Sequence, residues 1–406
     1  MYNYVSKKVF IWCLLALFTI LIPILVKAEG IIDIKPYVSV GINYDDNLFR
    51  FSSPEQAKAA LGSSDASDVM SRLDFGVLVN LRLSRQLVSL SSSLSENKFD
   101  RFDNLDNRGK ANSLRWDWRL GNNFYGELSA SENEAIAGFN ETRNAVKNLR
   151  IVERQFASIN WNFKPDWTIY ASREQVALDN ESASSRVLNR EDEVVEGGVR
   201  FQSPLNTQLG LAYRIADSTF PNRDGPIKLV FGDASSQKEA IVTAAWLPGA
   251  KTKISTRLSH VNLKRNISSA RDFSGFSQRI GLNYQATDKV NLDFAAYQVV
   301  SPVDDVVSTY VKSKGVDISP TWNITSKVAL SGNLAYSENT YLGSAGISTN
   351  NQERQDESMQ AGLTLFYTPT QKSLVQLQYQ GEKRTSNLVN ADYKFNNINF
   401  LFRYSF

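Results

Sequence analysis

The chain is poor in the residues that build disulfides, metal centres and imidazole catalysis: it has a single cysteine, Cys13, and a single histidine, His260, among 406 residues. One cysteine allows no internal disulfide, and one histidine leaves a zinc or other transition-metal site without its usual ligands. No metal and no cofactor are expected. An excess of one charge is missing too, since 45 Lys and Arg stand against 42 Asp and Glu. That balance excludes a strongly basic nucleic-acid binder and a highly charged disordered chain. Only residues 9–26 form a long hydrophobic run, which excludes a bundle of membrane helices. A composition of 42% hydrophobic and 21% charged residues reads at first as two or three soluble domains. It fits a transmembrane β-barrel equally well, because barrel strands place every second residue on a polar face.

The hydrophobic run lies at the N-terminus. Lys7 and Lys8 precede Val9 to Val26, and Val26-Lys27-Ala28 offers a cleavage site before Glu29. Residues 1–28 therefore read as a cleaved secretory signal. The run is long enough for an uncleaved anchor, but polar chain follows Ala28 at once, which favours cleavage. Cleavage removes Lys7, Lys8, Lys27 and Cys13 but no acid, so residues 29–406 carry equal numbers of acidic and basic groups. That remainder is expected to form one domain without disulfides.

What is abundant is alternation. Leu73, Phe75, Val77, Val79, Leu81 and Leu83 are separated by Asp74, Gly76, Leu78, Asn80 and Arg82. The same period of two recurs at Leu114, Trp116, Trp118 and Leu120, at Ala157, Ile159, Trp161 and Phe163, and at Leu209, Leu211, Tyr213 and Ile215. It returns at Ile280 to Ala286, Val290 to Ala296, Val328 to Tyr336 and Met359 to Tyr367. A period of two is a strand with one apolar face. No amphipathic helix competes; the one alanine-rich piece, Gln56 to Leu61, lies in a polar loop.

The connections alternate in length. Short ones such as Gly121-Asn122, Lys164-Pro165-Asp166 and Thr325-Ser326-Lys327 use tight-turn residues. Between them run long polar segments, including Asp45 to Val69, Glu134 to Arg150, Asp217 to Ser235 and Thr340 to Arg354. The expected fold is therefore all-β: a transmembrane antiparallel up-and-down β-barrel of about 16–18 strands, with short periplasmic turns and long extracellular loops. A β-sandwich array would mix its connection lengths, and a solenoid would show a fixed repeat. At the C-terminus Ile398, Phe400, Phe402, Tyr404 and Phe406 form an apolar stripe ending on the last residue. It resembles the insertion signal by which barrel-assembly machinery recognises outer-membrane barrels. The strand ending there must pair with the first, placed at Tyr37 to Tyr44, because lipid tolerates no open edge. Trp116, Trp118, Trp161, Trp167, Trp246 and Trp322 then read as girdle residues at the membrane boundary.

Strand register places Arg72, Arg82, Arg115, Arg119, Arg200, Arg214, Lys253, Arg257, Arg279 and Arg403 on the inner wall, with Gln376, Gln378 and Gln380. Asp74, Asp117, Glu127, Glu196, Asp293 and Asp317 face them. The wall leans basic in a neutral chain. One reading is a packed lumen whose charges pair across it; the other is a hydrated passage suited to hydroxyls and carboxylates. The segments Asp45 to Val69 and Asp217 to Ser235 are long enough to fold inward as constrictions. No enzyme is expected. His260 falls on the outward face, where barrel phospholipases carry a His-x-Ser motif, but Asn262 stands in place of that serine. Asp45-Asp46-Asn47 reads as a solvated turn rather than a calcium loop.

The stretch Pro36-Tyr37-Val38-Ser39-Val40-Gly41-Ile42-Asn43-Tyr44-Asp45-Asp46-Asn47-Leu48-Phe49-Arg50 resembles the start of the EpsL-type outer-membrane proteins, porin-type β-barrels associated with exopolysaccharide biosynthesis clusters and exosortase systems. The resemblance implies a conduit or assembly factor for exopolysaccharide export. Its implied partners are outer-membrane lipid and lipopolysaccharide, barrel-assembly machinery, the polysaccharide, and periplasmic export components; nucleic acid is not among them. A general small-solute porin and an adhesive barrel with binding loops are the alternatives.

Overall fold

A computed structural model describes residues 31–139, 145–267, 271–302, 308–343 and 353–406; the segment read as a signal, 1–28, lies outside them. The alternating segments form strands β1 (Ile31–Asp45), β2 (Asp68–Leu83), β3 (Gln86–Phe99), β4 (Asn107–Leu120), β5 (Phe124–Ile136) and β6 (Leu149–Lys164). Next come β7 (Trp167–Asn180), β8 (Arg190–Gln202), β9 (Gln208–Thr219), β10 (Ala234–Gly249), β11 (Thr252–Arg265) and β12 (Phe273–Gln285). The last are β13 (Val290–Pro302), β14 (Tyr310–Asn323), β15 (Val328–Leu342), β16 (Gln355–Thr370), β17 (Ser373–Ser386) and β18 (Tyr393–Ser405). Each pairs antiparallel with its sequence neighbours, and β18 pairs with β1, so the 18-stranded sheet closes. Strands spaced about 4.8 Å apart and tilted roughly 40° give a backbone ring about 36 Å across.

Cross-strand partners share a face, so the register sorts the side chains. Phe75 lies opposite Leu94, Leu211 opposite Val242, Ile318 opposite Leu334 and Ile42 opposite Phe400, all of them lipid-facing. On β6, Phe163, Trp161, Ile159 and Ala157 face outward before Gln155 and Glu153 take over. That apolar belt covers roughly 20 Å along the strand. All six expected girdle tryptophans face outward near the short-turn end, and Phe124, Trp161, Phe163, Trp167 and Phe201 form a continuous file with centroids 5.9, 5.8, 6.5 and 5.0 Å apart. The upper edge carries charges and amides instead, among them Glu132, Arg173, Glu193, Lys238, His260, Gln278 and Lys314.

Two details differ from the sequence reading. β1 begins at Ile31 rather than Tyr37, lengthening its pairing with β2. Short helices, α1 (Pro54–Leu61) and α2 (Gly225–Phe231), form in segments read as polar loops. At α1, Ser53 caps the N-terminus by accepting from the Gln56 N–H, Pro54 takes the first turn, and Gly62 closes the helix at φ 75. So short a helix is marginal alone. Packing decides it: Ala57 is buried with Phe49, Phe51, Ala66, Phe99, Leu105 and Phe139. Phe99 and the adjoining Met70 face inward, so this core sits within the extracellular mouth, and the segment after β1 folds into the barrel.

Candidate functional site

The mouth is organised by the residues that begin that segment. Asp45 is buried and takes both guanidinium nitrogens of Arg50 at 2.8 and 2.9 Å, the Asn47 N–H at 3.0 Å and the Asn397 side-chain amide at 3.2 Å. The Asp46 carboxylate accepts the backbone and side-chain N–H groups of Asn396, each at 2.7 Å. Asn47 donates to the carbonyls of Phe51 and Lys394, and the Arg50 guanidinium lies 3.5 Å from the centroid of Phe395. The expected solvated turn is therefore a buried clasp. It locks the seam between β1 and β18 and aims Phe49, fully buried and edge-on to Phe102 and Phe139 at 4.8 Å, into the mouth. Across the mouth the other expected constriction, carrying α2, is tied by the Arg265 guanidinium to the Phe231 carbonyl at 3.1 Å.

On the inner wall, register turns inward every arginine and glutamine assigned there, but they do not form one site. Arg72 binds Asp74 at 2.7 Å, and Arg115 binds Asp117 at 2.7 Å and Glu127 at 3.2 Å. Arg82 and Arg119 sit at the periplasmic rim on β2 and β4. Gln376, Gln378, Gln380 and Arg403 line the seam side on β17 and β18. Arg214 and Arg257 hold the buried Glu239 between them, at 3.8 and 3.2 Å.

One cluster does converge. A single row of cross-strand partners runs Arg200, Gly210, Thr243, Arg257, Arg279 from β8 to β12. Arg257 directly faces Arg279, a like-charge pairing that costs sheet stability. The residues between and below the cations are small: Gly210, Thr243, Ala245, Ser255 and Gly281. They leave a recess of about 260 Å³ with Arg200, Lys253, Arg257, Arg279 and Gln208 along it. A Cβ on Gly210 would meet Thr243 Oγ1 at 2.5 Å, and one on Gly281 would meet Ser255 Oγ at 2.8 Å, so a side chain at either position would have to displace those hydroxyls from the wall. Carboxylates only partly offset the cations. Arg279 reaches Asp317 at 3.5 Å, Arg200 donates to the Asn160 amide oxygen at 2.8 Å, and Lys253 has no ion pair among the described residues.

Sequence reasoning missed the aromatic partners of these arginines. Tyr37 lies opposite Gly76, Tyr170 opposite Gly198 and Tyr297 opposite Gly315. In each pair the ring lies against the glycine, where a Cβ would come within 2.4, 2.8 and 2.6 Å of it. A guanidinium then lies over each ring: Arg403 on Tyr37 at 4.4 Å, Arg200 on Tyr170 at 4.2 Å and Arg279 on Tyr297 at 5.4 Å. The wall thus carries arginines held as flat plates by tyrosines that fill glycine gaps. The signal is tyrosine directly opposite glycine, which becomes visible only once the register is known.

His260 faces outward as expected, but the neighbouring strand supplies the serine its own strand lacks: Ser274 Oγ lies 3.0 Å from His260 Nε2, with Phe276 edge-on at 4.9 Å. Among the described residues, no group of three or more metal-ligating side chains forms.

Closed strands, an outward apolar belt and a charged interior give this chain the fold of the outer-membrane, porin-type β-barrels. Comparison agrees on the class. The family model described as "Putative beta-barrel porin 2" matches residues 264–404. Pseudomonas aeruginosa OccK2 (OpdF), solved in complex with glucuronate, superposes with a TM-score of 0.51 at 10% identity, covering 92% of this chain and 98% of that one. OpdQ of the same organism gives 0.51 at 9% identity over 92% and 97% of the two chains. OccAB3 of Acinetobacter baumannii gives 0.50 at 9% identity over 92% and 99%. No curated protein sequence matches the chain.

Proposed function

We propose that the chain is an outer-membrane channel through which small acidic solutes, sugar acids among them, diffuse. The observation that carries this reading is the recess of Arg200, Arg257, Arg279 and Lys253 on the lumen wall. A carboxylate entering it meets charge-assisted donors, while Thr243, Ser255 and Gln208 exchange hydrogen bonds with hydroxyls. The glucuronate bound by OccK2, a barrel of the same fold, supports sugar acids as the substrate class. The mechanism is guided diffusion; no bond is made or broken, no cofactor takes part and no enzymatic step is included. Barrel-assembly machinery would read the stripe Ile398, Phe400, Phe402, Tyr404 and Phe406, of which the first four face outward on β18.

Swelling of proteoliposomes in iso-osmotic glucuronate and glucose tests the proposal. Faster entry of glucuronate, lost when Arg200, Arg257 and Arg279 become Gln, is expected; equal rates for both solutes in the wild type would refute it.

The second reading, exopolysaccharide export, rests on the EpsL-type resemblance of residues 36–50. Its cost is spatial, because that stretch leads into the segment filling part of the mouth, and a threading polymer would have to displace it. The porin reading fits the compared structures better. Polymer retained in the periplasm of a deletion strain would favour export, and unchanged secretion would dismiss it.

A further inference from the structure

We infer that the periplasmic end of the lumen carries a second sugar-acid site, an exit station between the β14–β15 and β16–β17 turns. The inference deepens the channel reading and rests on it: an acidic solute that has passed the recess on β8–β12 meets this site on leaving. Three short turns repeat one motif, Thr287-Asp288-Lys289, Thr325-Ser326-Lys327 and Thr370-Gln371-Lys372. In each, the threonine Oγ1 accepts the lysine N–H, at 3.2, 3.1 and 3.2 Å. The lysine carbonyl then accepts an N–H from the following strand, that of Asn323, Thr368 or Ser405, at 2.8, 2.8 and 2.7 Å. Each lysine backbone is held on both sides, which limits where its ammonium can reach. The ammonium groups differ in use. Lys289, next to Asp288, donates to the Ile324 carbonyl at 3.1 Å, whereas Lys327 and Lys372 have no side-chain partner among the described residues.

Those two lysines border a cavity of about 650 Å³ that Arg403 lines from the inner face of β18. The Arg403 guanidinium lies over Tyr37 at 4.4 Å, and its Nε is shielded from solvent without an acceptor among the described residues. Ser326, Ser373 and Ser405 add hydroxyls, and no carboxylate lines the cavity. The acids around it are spent or set apart. Asp74 is held by Arg72 at 2.7 Å and by Ser39 at 2.9 Å, and Asp33 by Lys35 at 2.6 Å. Asp288 belongs to the neighbouring turn, and the Phe406 carboxylate forms no ion pair with Lys327, Lys372 or Arg403. Two ammonium groups, a guanidinium short of one acceptor and three hydroxyls suit the carboxylate and ring hydroxyls of one sugar acid.

Thiol protection tests the inference. Cys13 is the only cysteine and lies in the segment read as a cleaved signal, so Ser326→Cys gives the processed barrel a single thiol. Its reaction with N-ethylmaleimide in detergent, followed by mass spectrometry, is expected to slow with glucuronate and not with glucose. Adding Lys327→Gln and Lys372→Gln should raise the half-protecting glucuronate concentration about seven-fold at low salt, for two cations each about 7 Å from the carboxylate. The thiol of Asn122→Cys, in the β4–β5 turn outside the cavity, should react alike with and without glucuronate. Heat-modifiable gel mobility checks that each variant is folded. Equal slowing by glucose, an unchanged half-protecting concentration in the lysine variant, or the same protection of the Asn122→Cys thiol would overturn the assignment. So would equal protection by inorganic sulfate, which would mark a plain anion site. Proteoliposome swelling reports the recess separately. Glucuronate preference without protection strikes the rim site alone, and absence of preference refutes the channel reading and the exit role with it.

Discussion

Removing the arginine of the clasp is the most informative single perturbation. The Arg50 and Asp45 side chains are 15% and 5% exposed, so the pair is largely shielded from water. Arg50→Met keeps much of the stem over Phe395 but strands the carboxylate. An unpaired buried charge of this kind costs about 3–5 kcal/mol. The Asn47 N–H and the Asn397 amide still donate to Asp45, which recovers part of that. A net loss of about 3 kcal/mol is expected for Arg50→Met. Asp45→Asn, which preserves shape and leaves the guanidinium its stacking on Phe395, should cost about 2 kcal/mol. Together the two should cost clearly less than their sum, with a coupling of about 1–2 kcal/mol. Urea titration in detergent, read by loss of compact gel mobility and by tryptophan fluorescence, gives the three values. A cost below about 1 kcal/mol for Arg50→Met, or strict additivity in the double variant, would show that the clasp does not hold the seam.

Other outcomes follow from the same geometry. Arg200→Gln, Lys253→Gln and Arg279→Gln together remove three cations, each attracting a monovalent anion about 7 Å away by about 0.6 kcal/mol in water; anion enrichment of about twenty-fold at low salt should vanish, seen as a shifted reversal potential in planar bilayers. Gly198→Val should cost at least about 2 kcal/mol in urea, because even a Cβ would meet the Leu211 carbonyl at 2.5 Å and Tyr170 Cε1 at 2.8 Å. The Ser67 N–H, then its hydroxyl, then Arg101 hold the Asp65 carboxyl below the usual range. A depressed carboxyl stabilises above its unfolded value and loses that contribution as pH falls, so the protection of the amides in residues 62–68, taken relative to their intrinsic exchange rates, should fall below about pH 4 and stay level between pH 5 and 8.

How much of the site could be read in advance differs from residue to residue. The inward positions of Arg200, Arg257 and Arg279 follow from parity within each strand, since neighbours on a strand must point oppositely. Their convergence does not, because it depends on which residue of β10 faces which residue of β11. The tyrosine plates were hidden for the same reason: Tyr170 and Gly198 are far apart in sequence and meet only through register. Asp45-Asp46-Asn47 looked like a solvent turn because local chemistry favours one there. Its burial comes from β18, which returns alongside it from the far end of the chain.

The sequence by itself determined the closed-barrel class. A period of two, maintained through alternating short and long connections, admits few other ways to satisfy both lipid and backbone hydrogen bonds. It also determined which face of each strand meets lipid. The tertiary structure decided the rest: the strand count of 18, the phenylalanine-lined mouth, the meeting of cations across a glycine-floored recess, and the pairing of His260 with Ser274. Those features arise between strands. Closure and register are fixed by the cooperative fit of the whole sheet, and no single strand carries that information.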